Sequence, residues 1–142
     1  WNPTLVNMHV ALAVRDLLSH HLPASQSPGA IRVKWPNDVL VWHAGEHRKA
    51  AGILVENVWR GSQWSTTVIG VGLNVGSSRL GRSYPAVSLA EAWHEKLTPS
   101  DLATALAEGI VRRLEGGVDV AHVHSLGLMP QRHRAESGEP VE

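Results

Sequence analysis

The stretch Lys34-Trp35-Pro36-Asn37-Asp38 constrains the fold more than any other part of this chain. Pro36 has no backbone donor and a fixed φ, and it pushes Trp35 into an extended conformation, so a strand ending at Lys34 must turn here. Asn37 and Asp38 then sit on the bend. Behind it comes the run Arg48-Lys49-Ala50-Ala51-Gly52-Ile53-Leu54-Val55-Glu56, and two of the chain's three lysines fall in these two stretches. A solvated surface would scatter its lysines. Here an ammonium, an indole, an amide and a carboxylate share one stiff bend beside a second lysine, a grouping able to hold a nucleotide.

The rest of the pattern supplies a scaffold for that bend. Residues 31–35 read as a short strand. Residues 39–42 continue as a strand, residues 43–47 turn at Gly45, and residues 49–58 return, which predicts an antiparallel hairpin. Arg60-Gly61-Ser62 marks a second turn, and residues 63–75, rich in Val68, Ile69, Val71, Leu73 and Val75, complete a three-stranded meander. Ahead of the sheet, Leu5, Val6, Val10, Ala13, Val14, Leu17 and Leu18 recur at three- and four-residue steps, predicting an amphipathic helix over residues 4–18 with one buried face. Behind it, Ser88 and Glu91 have capping-box spacing, so a short helix through Leu89, Ala92 and Trp93 is expected. Thr98-Pro99-Ser100-Asp101 repeats the signal, with a helix through Leu102, Leu106, Ile110 and Leu114 that stops at Gly116-Gly117. Residues 76–84 read as a Gly/Ser/Arg-rich loop, residues 118–123 are ambiguous, and residues 125–142 are polar and poorly patterned. The expected fold is α/β of the α+β type, a mainly antiparallel sheet backed by helices.

Composition removes several classes of function. Thirteen basic against thirteen acidic residues give no net charge, so no nucleic-acid or membrane-surface footprint is evident. Without cysteine there is no disulfide, zinc-thiolate site or thiol nucleophile. No apolar run approaches the length of a membrane span and no leader pattern precedes one, which makes the cytoplasm the default compartment. None of the nine histidines has a partner at helical spacing with a carboxylate to match, so no metal is assigned to them. Trp1 at the start and the polar run at the end predict a piece of a longer protein.

Gly70-Val71-Gly72-Leu73-Asn74-Val75-Gly76 resembles a dinucleotide fingerprint, but its third glycine is displaced and no helix start follows, so it is rejected. Residues 76–83 mimic a phosphate loop with Arg82 in place of the required lysine and Pro85 beyond it, and are set aside. Gly70 and Gly72 alternate along one strand, so both leave the same face bare, a flat floor for a planar ligand or a site of close packing. Asn74 lies on that face with a donor and an acceptor suited to a purine edge. Lys49 can face the same space, although no acid adjacent in sequence neutralises it. Gly52 inside a strand marks either a ligand contact or a bulge.

Taken together, Lys34-Trp35-Pro36-Asn37-Asp38, then Arg48-Lys49-x-x-Gly52-Ile53-Leu54-x-Glu56, then Gly70-x-Gly72-Leu73-Asn74, resemble in order and spacing the catalytic core of biotin protein ligases. The resemblance covers roughly Leu5 to Leu114. It implies a reaction that joins biotin and MgATP into biotinyl-5′-adenylate and then transfers biotin to a lysine of a biotin carboxyl carrier protein. It assigns Lys49 to the biotin carboxyl group and the α-phosphate, as the catalytic residue. Gly52, Leu54, Gly70 and Gly72 would line the biotin channel with it. Lys34, Asn37, Asp38 and Asn74 would bind ATP, with Asn74 at adenine and Asp38 at Mg²⁺, while Trp35 braces the turn.

The resemblance also carries departures and alternatives. The family's Gly/Arg-rich adenylate loop would precede the first helix, where this chain has no counterpart. Residues 1–124 would form the partial catalytic domain, and residues 125–142 a tail or the first strand of an SH3-like barrel. A homodimer is left open. Two other readings remain: a lipoate ligase or octanoyl transferase, which also handle an acid and a carrier lysine, and an inactive relic that only binds.

Overall fold

A computed structural model describes residues 3–76, 85–94 and 97–116 of the chain. Its elements run α1 (Pro3–His20), a 3-10 turn (Pro28–Ala30), β1 (Ile31–Lys34), β2 (Asp38–His43), β3 (Glu46–Arg60), β4 (Gln63–Leu73), α2 (Leu89–Trp93) and α3 (Pro99–Glu115). The strands form one sheet in the order β1-β2-β3-β4, each pair antiparallel. The short first strand therefore joins the expected meander as its outer member. The expectations for residues 77–84, 118–123 and 125–142, with the boundary after residue 124, lie outside the described residues.

Turn chemistry explains the sheet's connectivity. Ala44 and Gly45 have φ of 50° and 88°, so both central residues of the β2–β3 turn are left-handed. This sense of twist matches that of the two strands it joins. Gly61, at φ 62°, does similar work between β3 and β4. The Lys34–Asp38 bend joins β1 to β2 through a cis Trp35–Pro36 peptide. The bend is tied down from two sides: Asn7 Nδ2 of α1 donates to the Pro36 carbonyl at 2.8 Å, and the Ile53 amide of β3 donates to the Asn37 carbonyl at 2.8 Å.

Val6, Val10, Val14 and Leu18 of α1 share a core cluster with Ile31, Val39, Val41 and Ile53 of the sheet and with Leu89, Trp93 and Leu102 behind it. α1 is not, however, buried on one face alone. Every residue from His9 to Val14 is buried, including Leu12 at 1% exposure. The reason is that α1 packs against β1, β2 and β3 and also against α3, whose Arg113 forms an ion pair with Asp16. His9 lies inside this packing at 5% exposure, with neither ring nitrogen hydrogen-bonded. Burial, and secondarily the Arg113 charge, hold its pKa below the usual 6.5.

The two later helices start where the sequence says they should. Ser88 and Glu91 form a complete capping box: the Ser88 hydroxyl accepts from the Glu91 amide, and the Ser88 amide donates to Glu91 Oε2 at 3.1 Å. Thr98 and Pro99 occupy the N-cap and first position of α3, but the Thr98 side chain makes no capping hydrogen bond. Among the described residues no helix is long and apolar enough to cross a membrane.

Candidate functional site

The site is built on a fault in the β2–β3 ladder. Leu40 pairs with Lys49 and Val39 with Ala51, so Ala50 is an extra residue, and beyond it Asp38 pairs with Gly52. Strict alternation would put Lys49 and Gly52 on opposite faces of the sheet. The bulge resets the alternation. Ala50, Ala51 and Ile53 turn into the core, whereas Lys49, Gly52 and Leu54 turn out to the other face.

On that outer face β4 supplies bare backbone. Gly72 lies opposite Gly52 and Gly70 opposite Leu54, and paired residues share a face. With Asn37, Lys49, Ile53 and Val71 they line an open trough of about 510 Å³. Small-molecule sites generally occupy roughly 300–1,000 Å³. Leu54 stands at the trough with 62% of its surface exposed, apolar area that a ligand would cover. A Cβ at Gly72 would meet only the Gly52 carbonyl oxygen at 4.0 Å, so the floor has room for a ligand.

Lys49 Nζ meets Asp38 Oδ1 at 2.5 Å, and the aspartate side chain is only 13% exposed. Asp38 Oδ1 is buried and has no well-angled hydrogen bond, so charge attraction to this ammonium compensates its desolvation. The lysine's missing counter-ion was thus in the other motif, a contact that only strand pairing reveals. The backbone of Lys49 is fixed as firmly. Its amide donates to the Pro85 carbonyl at 2.9 Å, and its carbonyl accepts from the Val87 amide at 3.0 Å. The β3–β4 ladder ends at Ala51, and beyond it residues 85–87 take up these groups through a parallel bridge between Lys49 and Ala86.

Asn74 sits behind Lys49 rather than along the trough floor. Its Nδ2 donates at 3.3 Å to both the Lys49 and Val87 carbonyls, and its main-chain amide donates to the Ala50 carbonyl at 2.8 Å. Both amide hydrogens are therefore spent within the protein, leaving only the side-chain oxygen for the purine edge expected from the sequence. Lys34 is exposed at the end of β1, opposite Asp38 in the ladder. Of the sequence-derived residues, the trough gathers Asn37, Lys49, Gly52, Leu54, Gly70 and Gly72. Asp38 joins them through Lys49. Trp35, with Asn7, Pro36, Val55 and Asn57, lines a neighbouring trough that shares Asn37, Ile53 and Leu54 with the first.

Among the described residues no three His, Asp or Glu side chains gather as a metal site. Mg²⁺ commonly takes one or two carboxylates and completes its shell with substrate phosphates and water. Asp38 lies beside the trough lining rather than in it and its Oδ1 is taken by Lys49, so only its other carboxylate oxygen is left for that limited role.

The model of the Biotin/lipoate A/B protein ligase family matches residues 3–74. Among solved structures, the chain is similar to the apo biotin protein ligase from Aquifex aeolicus, at 21% identity and TM-score 0.59, over 79% of this chain and 45% of that one. It is also similar to the Aquifex aeolicus enzyme in complex with biotin and ATP, at 20% identity and TM-score 0.52, over 80% of this chain and 42% of that one. The biotin protein ligase from Leishmania major in complex with biotinyl-5-AMP matches at 21% identity and TM-score 0.58, over 97% of this chain and 58% of that one. At such identities the likeness establishes a shared fold. The chain spans less than half the length of the Aquifex aeolicus structures. No curated protein sequence matches it.

Proposed function

Because the chain belongs to the Biotin/lipoate A/B protein ligase family, we propose that it forms the adenylating part of an ATP-dependent biotin–protein ligase. The observation that carries this reading is the Lys49 ammonium, held by Asp38 beside a glycine-floored trough. The motif Lys34-Trp35-Pro36-Asn37-Asp38 favours biotin over lipoate as the acid. Relatives of the same fold have been solved with biotin and ATP and with biotinyl-5-AMP, which supports a trough that takes such ligands.

In the proposed first step a carboxylate oxygen of biotin attacks the α-phosphorus of ATP, and the bond to the β-phosphate breaks to release pyrophosphate. Lys49 stabilises the charge that builds on the phosphoryl oxygens, an electrostatic role rather than a nucleophilic one. Gly70 and Gly72 leave room for the biotin chain, and Leu54 covers it. Asn37 and Lys34 contact phosphate, and Asn74 presents its side-chain oxygen towards the adenine amine. Asp38 would hold Mg²⁺ together with the ATP phosphates, and the cation would neutralise their charge. In the second step the neutral amine of a carrier lysine attacks the anhydride carbonyl, AMP leaves, and the new amide releases a proton. The same reading assigns the acceptor to a biotin carboxyl carrier domain and the reaction to the cytoplasm.

The test is calorimetric binding of a non-hydrolysable biotinyl-adenylate analogue to the chain, once circular dichroism has established that it is folded, with the lipoyl analogue as control. Preference for the biotin compound is the expected result. Preference for the lipoyl compound would move the assignment to lipoate chemistry, and a folded chain that binds neither would favour the relic.

A further inference from the structure

The three glycines beside the trough are not equivalent. A Cβ built on Gly70 would lie 3.8 Å from Leu54 Cβ, and one on Gly72 4.0 Å from the Gly52 carbonyl oxygen, both ordinary contacts. One built on Gly52 would lie 3.2 Å from Lys49 Cε and 3.3 Å from Lys49 Nζ, closer than side chains normally pack. The space vacated at Gly52 is therefore filled by the end of the lysine. Asp38 is the direct cross-strand partner of Gly52, and its carboxylate is the group that meets the ammonium at 2.5 Å. A lysine side chain a third exposed would otherwise sample many rotamers, and fixing one of them has an entropic cost.

We propose that Gly52 and Asp38 together are positioning residues for Lys49: Gly52 leaves the volume in which the ammonium lies, and Asp38 holds it there by charge. This rests on the reading of Lys49 as the group that stabilises phosphoryl charge, and it separates Gly52 from Gly70 and Gly72, which stay open to the ligand. A methyl group at residue 52 needs the end of the lysine to give by a few tenths of an ångström, and the ammonium making that shift is already in contact with Asp38. The lysine must give up either its place over the strand or its distance to the carboxylate.

The chain's three lysines, Lys34, Lys49 and Lys96, make the test direct. Protein labelled with ¹³C-lysine gives three Cε–Hε signals, and Lys49→Arg identifies the one from Lys49. Without any ligand, Gly52→Ala is expected to move the Lys49 signal by several linewidths and to leave the other two in place. Gly72→Ala, a matched change on the opposite strand, is expected to leave the Lys49 signal within a linewidth. Equal displacement by both variants overturns the proposal. Asp38→Asn, nearly isosteric, should also move the Lys49 signal, and if Gly52→Ala fails to fold, an unmoved signal in Asp38→Asn overturns it instead. In calorimetry with the biotinyl-adenylate analogue, Gly52→Ala should weaken binding by about tenfold, the scale of one misplaced charge-assisted contact. If the Lys49 signal moves as expected but Lys49→Ala leaves binding of that analogue unchanged, the positioning stands and the functional reading of Lys49 fails.

Discussion

The proposed function rests on Lys49 more than on any other residue, because its ammonium combines a buried-side carboxylate partner with access to an open trough. Removing a preorganised charge stabiliser generally costs about 10²–10³ in rate. Lys49→Ala should lower biotin-dependent pyrophosphate exchange by that amount in protein that catalyses it, and an unchanged rate would take Lys49 out of the mechanism. His9 makes a prediction of a different kind. The folded chain disfavours its imidazolium, first through burial and then through Arg113, whose guanidinium is paired with Asp16. The unfolded chain titrates near 6.5 and takes up a proton that the folded chain resists, so the stability due to neutral His9 is present above that value. It is lost as pH falls through about 6.5 towards the depressed folded value. The urea midpoint should therefore fall between about pH 7.5 and pH 5.0, and less so in His9→Leu. A pH dependence unchanged by His9→Leu would place the effect elsewhere. Lys49 was legible in the sequence as a placed lysine. The isolation of the His9 ring nitrogens was not, since no local pattern tells a buried histidine from a solvated one.

At the scale of elements, the two cap signals fared differently: Thr98 opens α3 without a side-chain capping hydrogen bond, whereas Ser88 makes its own. The Ser88–Glu91 box spans three residues, and its spacing alone foretold a bond network that the structure contains in full. Ser88→Ala should cost about 1 kcal/mol of stability, read as a lower denaturant midpoint at neutral pH. The Ser88 hydrogen bonds also hold the Glu91 pKa below its usual 4.5, so their contribution is present above that value and fades as pH falls through the folded pKa. The penalty of Ser88→Ala should shrink accordingly in acid. The β2–β3 turn offers the opposite sign. Ala44 holds a left-handed φ that asparagine tolerates better, so Ala44→Asn should raise stability by roughly 0.5–1 kcal/mol, and a loss would show that Ala44 has a role beyond the turn. The bulge at Ala50 had no local signature. Counting outward from the Ala44–Gly45 turn gives Leu40 opposite Lys49 correctly, and then sets Asp38 opposite Ala51 when its partner is Gly52.

For the molecule as a whole, the decisive feature is that α1 lies between the sheet and α3. The apolar periodicity of the sequence leaves Leu12 off the buried stripe, yet it is 1% exposed. Leu12→Ala should then cost about 2–5 kcal/mol, as a truncation in a closed core does. A near-neutral result in urea unfolding would restore the one-faced helix. The sequence by itself determined the elements, the Ser88–Glu91 cap, the turns, the antiparallel sheet, and the residue types that gather at the trough. Those depend on dihedral preferences, side-chain period and hydrogen bonds between near neighbours, all of which are written in adjacent residues. Only the tertiary structure decided which face each of those residues uses. The extra residue in β3 turns Lys49 and Gly52 to the same side, brings Asp38 to the ammonium, and directs the Asn74 amide to the Lys49 carbonyl. In a sheet with a period of two, a one-residue offset exchanges the faces, and where that offset falls is set by packing across strands rather than along one.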